Sequence, residues 1–130
     1  MLTFFLTLAA HADTPSQQID AVLADFTQGA AERDVERVES ALHPEARQFV
    51  AMPDGLQVID RESYLGLLSA GKIGGTATSR QLLMIEIDGS RATARQIRDV
   101  GALALHDTVS LMQVDGDWQI ISAAIEVVSE

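Results

Sequence analysis

The sequence contains no cysteine and a single lysine, Lys72, and both shortages narrow what the protein can do. Without cysteine there can be no disulfide, thiol nucleophile or cysteine-ligated metal, so the fold must be held together by packing alone. Acidic residues outnumber basic ones by 19 to 9, and the net charge is -10. Because binding to a phosphate backbone needs a stripe of basic residues, nucleic acid is not an expected partner.

Long hydrophobic runs are also missing after residue 12, so no transmembrane segment is expected there. The apolar run at the start, Leu2–Ala10, is too short to span a bilayer and ends in the A-x-A cleavage pattern of Ala10-His11-Ala12. Residues 1–12 are therefore predicted to be a signal peptide, which would place the mature protein in the periplasm or outside the cell, without a membrane attachment. Since no basic residue precedes the run, an N-terminal strand or buried helix is the alternative. Residues 13–130 have the size of one domain.

Two helices are predicted at the start of this domain. Thr14-Pro15-Ser16-Gln17 combines an N-cap, a proline at the first helical position and a capping-box glutamine, so a helix is expected over about residues 15–32. Asp34 can cap a second, shorter helix, which should stop near His43 because Pro44 follows it.

A third helix is predicted to begin after Asp60, which can serve as its N-cap. Ile59 and Tyr64 are spaced to form a hydrophobic staple across that helix start. The helix should end at Gly71, and the glycine-rich segment Gly71–Gly75 is interpreted as a mobile connection that could act as a lid.

Six strands complete the pattern. Gln48–Ala51 and Leu56–Ile59 flank a short turn, and Gln81–Ile87 and Arg91–Val100 flank another. The last third, Leu103–Val128, is predicted to be a long hairpin. Helices first and strands afterwards favour an α+β fold, in which the three N-terminal helices pack on one face of a curved antiparallel sheet.

The turn of the closing hairpin predicts which side chains share a face. Asp115-Gly116 favours a type I′ turn, so Leu111 should face Ile120 and Asp107 should face Ala124. A contiguous apolar face is unfavourable in water, so a homodimer through the outer sheet face is expected. On this register the apolar residues of the outer face are Ile97, Ile121, Ala123, Ile125 and Val127.

Several segments together resemble the nuclear transport factor 2-like superfamily, and within it the SnoaL-like and lumazine-binding branches. The resemblance implies a cystatin-like cone in which helices close over a curved sheet and leave a cavity, while the other sheet face often forms a dimer. It also implies, for catalytic members, a pocket aspartate, although no complete catalytic set can be matched here. The segments that carry the resemblance are Leu42–Ala46, Ile59–Glu62, Ile85–Ala94 and Asp115–Ile120.

Asp107 is the candidate catalytic residue, because the predicted register places it on the cavity face opposite Gln96 and diagonal to Arg98. A desolvated aspartate could act as a general base, whereas an aspartate paired with Arg98 would be a structural ion pair. Both interpretations remain open from the sequence.

Further candidates for ligand binding are Tyr64, Trp118 and Glu126, in addition to Gln96, Arg98 and Asp107. For Trp118 a core role is favoured over ligand contact, although one residue at the wall of a cone could have both. His43 could cap a helix end or enter the pocket. The histidines show no metal-ligand spacing, so neither a metal nor a cofactor is expected.

The main hypothesis is therefore an exported domain that binds a small apolar or heterocyclic molecule without catalysis. One alternative is an isomerase-, cyclase- or hydrolase-type enzyme of the SnoaL or ketosteroid isomerase kind, with Asp107 as base and Arg98 or Gln96 stabilising developing charge. The second alternative is a dimeric interaction module with a filled core and no ligand.

Overall fold

The computed structural model describes residues 13–128 of the chain. The predicted signal peptide, residues 1–12, lies outside the described residues, and export remains a prediction. Of the helices in the described part, none combines the length and apolarity needed to cross a bilayer.

Three helices form where the capping residues predict them: α1 spans Pro15–Glu32, α2 Val35–Ala41 and α3 Arg61–Ser69. The capping box of α1 is confirmed, since the Gln17 N–H donates to Thr14 Oγ1 at 3.2 Å and the Thr14 N–H donates to Gln17 Oε1 at 2.8 Å. Asp60 caps α3 by accepting a 2.8 Å hydrogen bond from the Ser63 N–H. These side chains satisfy amide groups that the first helical turn leaves without a partner.

Six strands form one curled, open sheet, which confirms the predicted α+β class. The spatial order is β2-β1-β6-β5-β4-β3, and every neighbouring pair is antiparallel except β1 and β6, which are parallel. The strands are β1 Leu42–Met52, β2 Gly55–Asp60, β3 Thr78–Asp88, β4 Arg91–Val100, β5 Leu103–Val114 and β6 Asp117–Val128.

The start of β1 differs from the prediction. Helix α2 ends at Ala41, and His43 and Pro44 already belong to β1. The register of β1 against β6 shifts between Leu42 and Arg47, so Pro44 lies in an irregular stretch of the strand. Proline has no amide hydrogen to give to the ladder, and it is tolerated here because the ladder between β1 and β6 is interrupted at this point.

The register of the closing hairpin is correct near the turn and wrong beyond it. Leu111 pairs with Ile120 as predicted, but a bulge between Ser110 and Leu111 shifts the pairing, so Asp107 faces Ile125 and not Ala124. A one-residue shift moves side chains to the opposite face of a sheet. Three residues predicted on the outer face therefore lie on the inner one: Ala123, Ile125 and Val127.

The core lies between α1 and the inner face of the sheet, where Ile19, Leu23 and Phe26 of α1 are almost completely buried. They follow one another at helical spacing, so they form one stripe along the helix. Val109 and Leu111 of β5 belong to the same core cluster.

The segment after α3 does not fit the expected mobile lid. The Arg33 guanidinium donates hydrogen bonds of 3.1 Å to the carbonyl oxygens of Gly71, Ile73 and Gly74. The Gly75 N–H also donates to the Ala30 carbonyl at 3.0 Å. The segment is therefore tied to the end of α1.

Candidate functional site

Asp107 lies at the centre of a buried hydrogen-bond network on the inner face of the sheet. It pairs across the sheet with Gln96, as the register predicted, and its side chain is 0% exposed. Arg98 Nε donates to Asp107 Oδ2 at 2.5 Å and Arg98 Nη2 donates to Oδ1 at 3.0 Å. Gln96 Nε2 adds a third donor to Oδ2, at 2.8 Å. Both carboxylate oxygens are thus engaged by donors from the neighbouring strand.

The network continues from Gln96 to helix α1. Gln96 Oε1 accepts a hydrogen bond from Arg80 Nη1 at 3.5 Å, and the same nitrogen lies 2.6 Å from Asp20 Oδ1. Because the oxygen of the Gln96 amide faces Arg80, its NH₂ group is directed at Asp107.

Arg98 is held from a second side by an aromatic ring. Its Cζ atom lies 5.7 Å from the centre of the Phe26 ring, within the range of a cation–π interaction. The Phe26 ring in turn lies 6.0 Å from that of Tyr64, centre to centre. Asp107 and Phe26 together fix the position of the guanidinium.

A cavity of about 250 Å³ lies in front of the Arg98–Asp107 ion pair, between α3, the segment after it and the inner face of the sheet. Three polar residues contribute to its wall: Gln48, Tyr64 and Arg98. Asp107 is not part of the wall. The apolar side chains around the cavity include Val50, Ile59, Leu67, Ile73, Leu105 and Ile125.

The polar groups of the wall have hydrogen-bonding capacity to spare. Gln48 is 5% exposed, and within residues 13–128 neither its side-chain amide nor the Tyr64 hydroxyl bonds to another residue. Arg98 Nη1 likewise has no partner among the described residues, since Asp107 occupies Nε and Nη2. Among the described residues, the buried side-chain atoms without a hydrogen-bond partner are Arg61 Nε and Trp118 Nε1, so the polar atoms of the cavity wall are open to water. A polar ligand edge that replaces this water can bond to the same three groups.

Burial raises the pKa of Tyr64 above its usual value of 10.0, the nearby Arg98 guanidinium opposes that shift, and Asp107 adds to it. The hydroxyl is therefore protonated at neutral pH and can donate as well as accept a hydrogen bond.

The structure brings only some of the predicted site residues together. Tyr64 and Arg98 line the cavity, and Gln96 and Asp107 lie behind Arg98. Trp118 is 5% exposed in the core cluster, away from the cavity. Glu126 is exposed and faces His106 on the outer face of the sheet, because the bulge shifts its strand by one residue.

Gln48 is the polar cavity residue that the sequence did not predict. It lies on β1, where the opposite face carries the apolar residues Phe49 and Ala51. Polar and apolar residues therefore do not alternate along this strand in a way that identifies its inner face. His43, for its part, makes a local contact in which its Nδ1 accepts a 3.0 Å hydrogen bond from the Glu45 N–H. Within the described part of the chain, no three metal-ligating side chains come together.

The sequence profile of a family described as "Putative lumazine-binding" matches residues 14–125. The chain belongs to this family. Among proteins of curated function, none matches it significantly.

Solved structures described as NTF2-like and ketosteroid isomerase-like show the same fold. An NTF2-like protein of unknown function from Shewanella baltica is 20% identical, with a TM-score of 0.78 over 92% of this chain and 100% of that one. An NTF2-like protein from Cytophaga hutchinsonii is 17% identical, with a TM-score of 0.79 over 89% of this chain and 100% of its own. A ketosteroid isomerase-like protein from Erwinia carotovora atroseptica is 12% identical, with a TM-score of 0.68 over 87% and 95%. At these identities the likeness concerns the fold alone.

Proposed function

We propose that this domain binds a small heterocyclic molecule in the cavity in front of Arg98 and does not act on it chemically. The observation that carries the proposal is the wall of the cavity, which is mostly apolar but contains three polar groups with free hydrogen-bonding capacity. Ligand sites combine an apolar wall with a few placed polar groups in this way. The family description, which refers to lumazine, supports a heterocyclic ligand.

The size of the cavity limits the ligand. A cavity of about 150 Å³ can hold benzene, so the 250 Å³ here suits a bicyclic molecule of roughly a dozen non-hydrogen atoms.

The enzyme alternative needs Asp107 to accept a proton from a substrate. That role is disfavoured because Arg98 and Gln96 already occupy both of its oxygens and because its side chain does not reach the cavity. An interaction module with a filled core is disfavoured by the presence of the cavity.

The proposal can be tested by thermal unfolding of the purified domain with lumazine and related bicyclic heterocycles. A ligand at ten times its Kd stabilises the native state by about 1.4 kcal/mol. For a domain of this size, that raises the melting temperature by roughly 6 °C.

The matched variants are Val127→Trp, in which the indole should fill the cavity, and Val128→Trp, the neighbouring residue on the opposite face. We expect Val127→Trp to abolish the ligand-induced shift and Val128→Trp to retain it. Absence of any shift in the unmodified domain, or equal shifts in both variants, would reject the cavity as the binding site.

The domain is also proposed to form a homodimer through the outer face of the sheet. After the register is corrected, the most exposed apolar side chains of this face lie on β2, where Leu56 is 64% and Val58 53% exposed, beside Phe49 of β1 at 37%. Phe49 pairs with Val58 and Ala51 with Leu56, so these side chains form one apolar patch. Such a patch on a sheet face is typical of a two-fold interface.

A further inference from the structure

The charge balance of the cavity wall carries information about which ligands it accepts. Arg98 is the charged residue among those that line the cavity. Its charge is compensated by Asp107, and the two side chains are only 8% and 0% exposed. A buried ion pair of this kind presents a dipole to the cavity, with little net charge.

We infer that the cavity selects neutral ligands with a cyclic amide edge, such as a lactam or imide, over carboxylates of the same size. This inference rests on the proposed binding function and specifies the chemical class of the ligand.

A carboxylate ligand would be poorly placed in this cavity. It would have to approach Arg98 beside Asp107, whose oxygens already lie 2.5 Å and 3.0 Å from the guanidinium nitrogens. Two carboxylates that share one guanidinium repel each other, and the second would also lose its hydration in an apolar cavity. Nothing else in the wall is cationic, because Gln48 and Tyr64 are uncharged donors and acceptors.

A cyclic amide matches the same groups. The Gln48 side chain has one carbonyl and one NH₂ group, so it can form two hydrogen bonds with the N–H and C=O edge of a lactam. Arg98 Nη1 and the Tyr64 hydroxyl can donate to further carbonyl or ring-nitrogen acceptors. Gln48 is 5% exposed and has no protein partner within residues 13–128, so a ligand without polar atoms would leave its amide unsatisfied.

Three bicyclic probes of similar size test the inference by equilibrium binding to the purified domain. They are 2-quinolone, a neutral lactam, 2-naphthoate, a carboxylate, and naphthalene, which has no polar atoms. We expect 2-quinolone to bind at least about tenfold more tightly than either of the others, because a site built for hydrogen bonds discriminates against ligands that leave them unmade.

Two variants should reduce this preference by different routes, and a third serves as a control. Gln48→Leu should weaken the binding of 2-quinolone by about tenfold and leave the binding of naphthalene unchanged or tighter. Gln81→Leu is the control, because Gln81 is exposed on edge strand β3, and it should change neither affinity. Asp107→Asn should leave the Arg98 charge uncompensated, and the binding of 2-naphthoate should therefore become tighter by about tenfold or more. If Asp107→Asn does not fold, the unmodified domain and Gln48→Leu still decide the matter.

The failures of the two proposals can be told apart. Equal affinity for 2-quinolone and naphthalene, or tighter binding of 2-naphthoate, would overturn the amide-edge inference and leave the binding function standing. Failure of all three probes and of lumazine to bind would reject the binding function and the inference with it.

Discussion

At the residue scale, Asp107 and Arg98 depend on each other. Each is buried and each compensates the charge of the other, so removal of one leaves an uncompensated charge in the interior. The cost of such a change is roughly 3–5 kcal/mol, whereas replacement of both partners by apolar residues of similar volume is often close to neutral.

We therefore expect Asp107→Ala to lower the free energy of unfolding by roughly 3–5 kcal/mol, and Asp107→Leu combined with Arg98→Met to recover most of that loss. Urea denaturation followed by circular dichroism measures both effects. A loss below about 1 kcal/mol in the single variant would mean that water or a rearranged side chain compensates Arg98 when Asp107 is absent.

The sequence predicted this cluster because β4 and β5 are joined by a tight turn and pair without a bulge. With Val100 opposite Leu103, simple counting along both strands places Gln96 opposite Asp107, and the structure confirms it. Counting could not decide whether Asp107 forms an ion pair or is left unpaired. That depends on whether the Arg98 side chain turns towards it, as it does in the structure.

At the element scale, the segment after α3 is held by one side chain from the end of α1. Arg33 lies in the left-handed conformation, with φ of 54°, and this directs its guanidinium towards three carbonyl groups of the segment. Because Ile73 of the same segment lines the cavity, Arg33 acts indirectly on the site.

Arg33→Ala should loosen this segment while the rest of the fold stays intact. We expect faster amide exchange at Gly75, which donates to the Ala30 carbonyl, and at Lys72, which donates to the Leu67 carbonyl. Arg91→Ala is the matched control, since Arg91 forms an exposed ion pair with Asp88 that should be worth no more than about 1 kcal/mol. Unchanged exchange at both amides after Arg33→Ala would show that the glycine-rich backbone holds its own conformation.

The prediction of a mobile lid followed from composition and did not anticipate the hydrogen bonds that tie the segment to the end of α1. Residues 71–75 contain three glycines, Gly71, Gly74 and Gly75, and all three have positive φ. Such a composition suggests a flexible segment. The stabilising donor, Arg33, is distant in sequence, with a separation of 38 to 41 residues from the carbonyl groups that it binds. No local pattern reports such a contact.

At the scale of the whole molecule, the two faces of the sheet have different roles. The inner face carries the core and the cavity, while the outer face exposes the apolar patch of β1 and β2. Two subunits that each carry a charge of -10 repel one another, so association through this patch should be stronger when salt screens the repulsion.

We expect the mature domain to sediment as a dimer at micromolar concentration and Phe49→Glu to sediment as a monomer. Val114→Glu serves as the control, because Val114 has the same 37% exposure but lies beside the β5–β6 turn, away from the patch. A monomeric mass for the unmodified protein in both low and high salt would remove the dimer proposal. Dissociation by both variants would move the interface elsewhere on the sheet.

The sequence by itself determined the local features: where the helices begin, which residues form the turns, the α+β class and the pairing of Gln96 with Asp107. Each depends on capping, on turn chemistry or on counting from a nearby turn, so the relevant interactions lie within a few residues of one another. Only the tertiary structure decided the parallel pairing of β1 with β6, the bulge at Ser110, the hold of Arg33 on the segment after α3 and the position of Gln48 in the cavity. These features depend on contacts between distant parts of the chain, and a single bulge reverses the face of every residue beyond it, so periodicity alone could not place them.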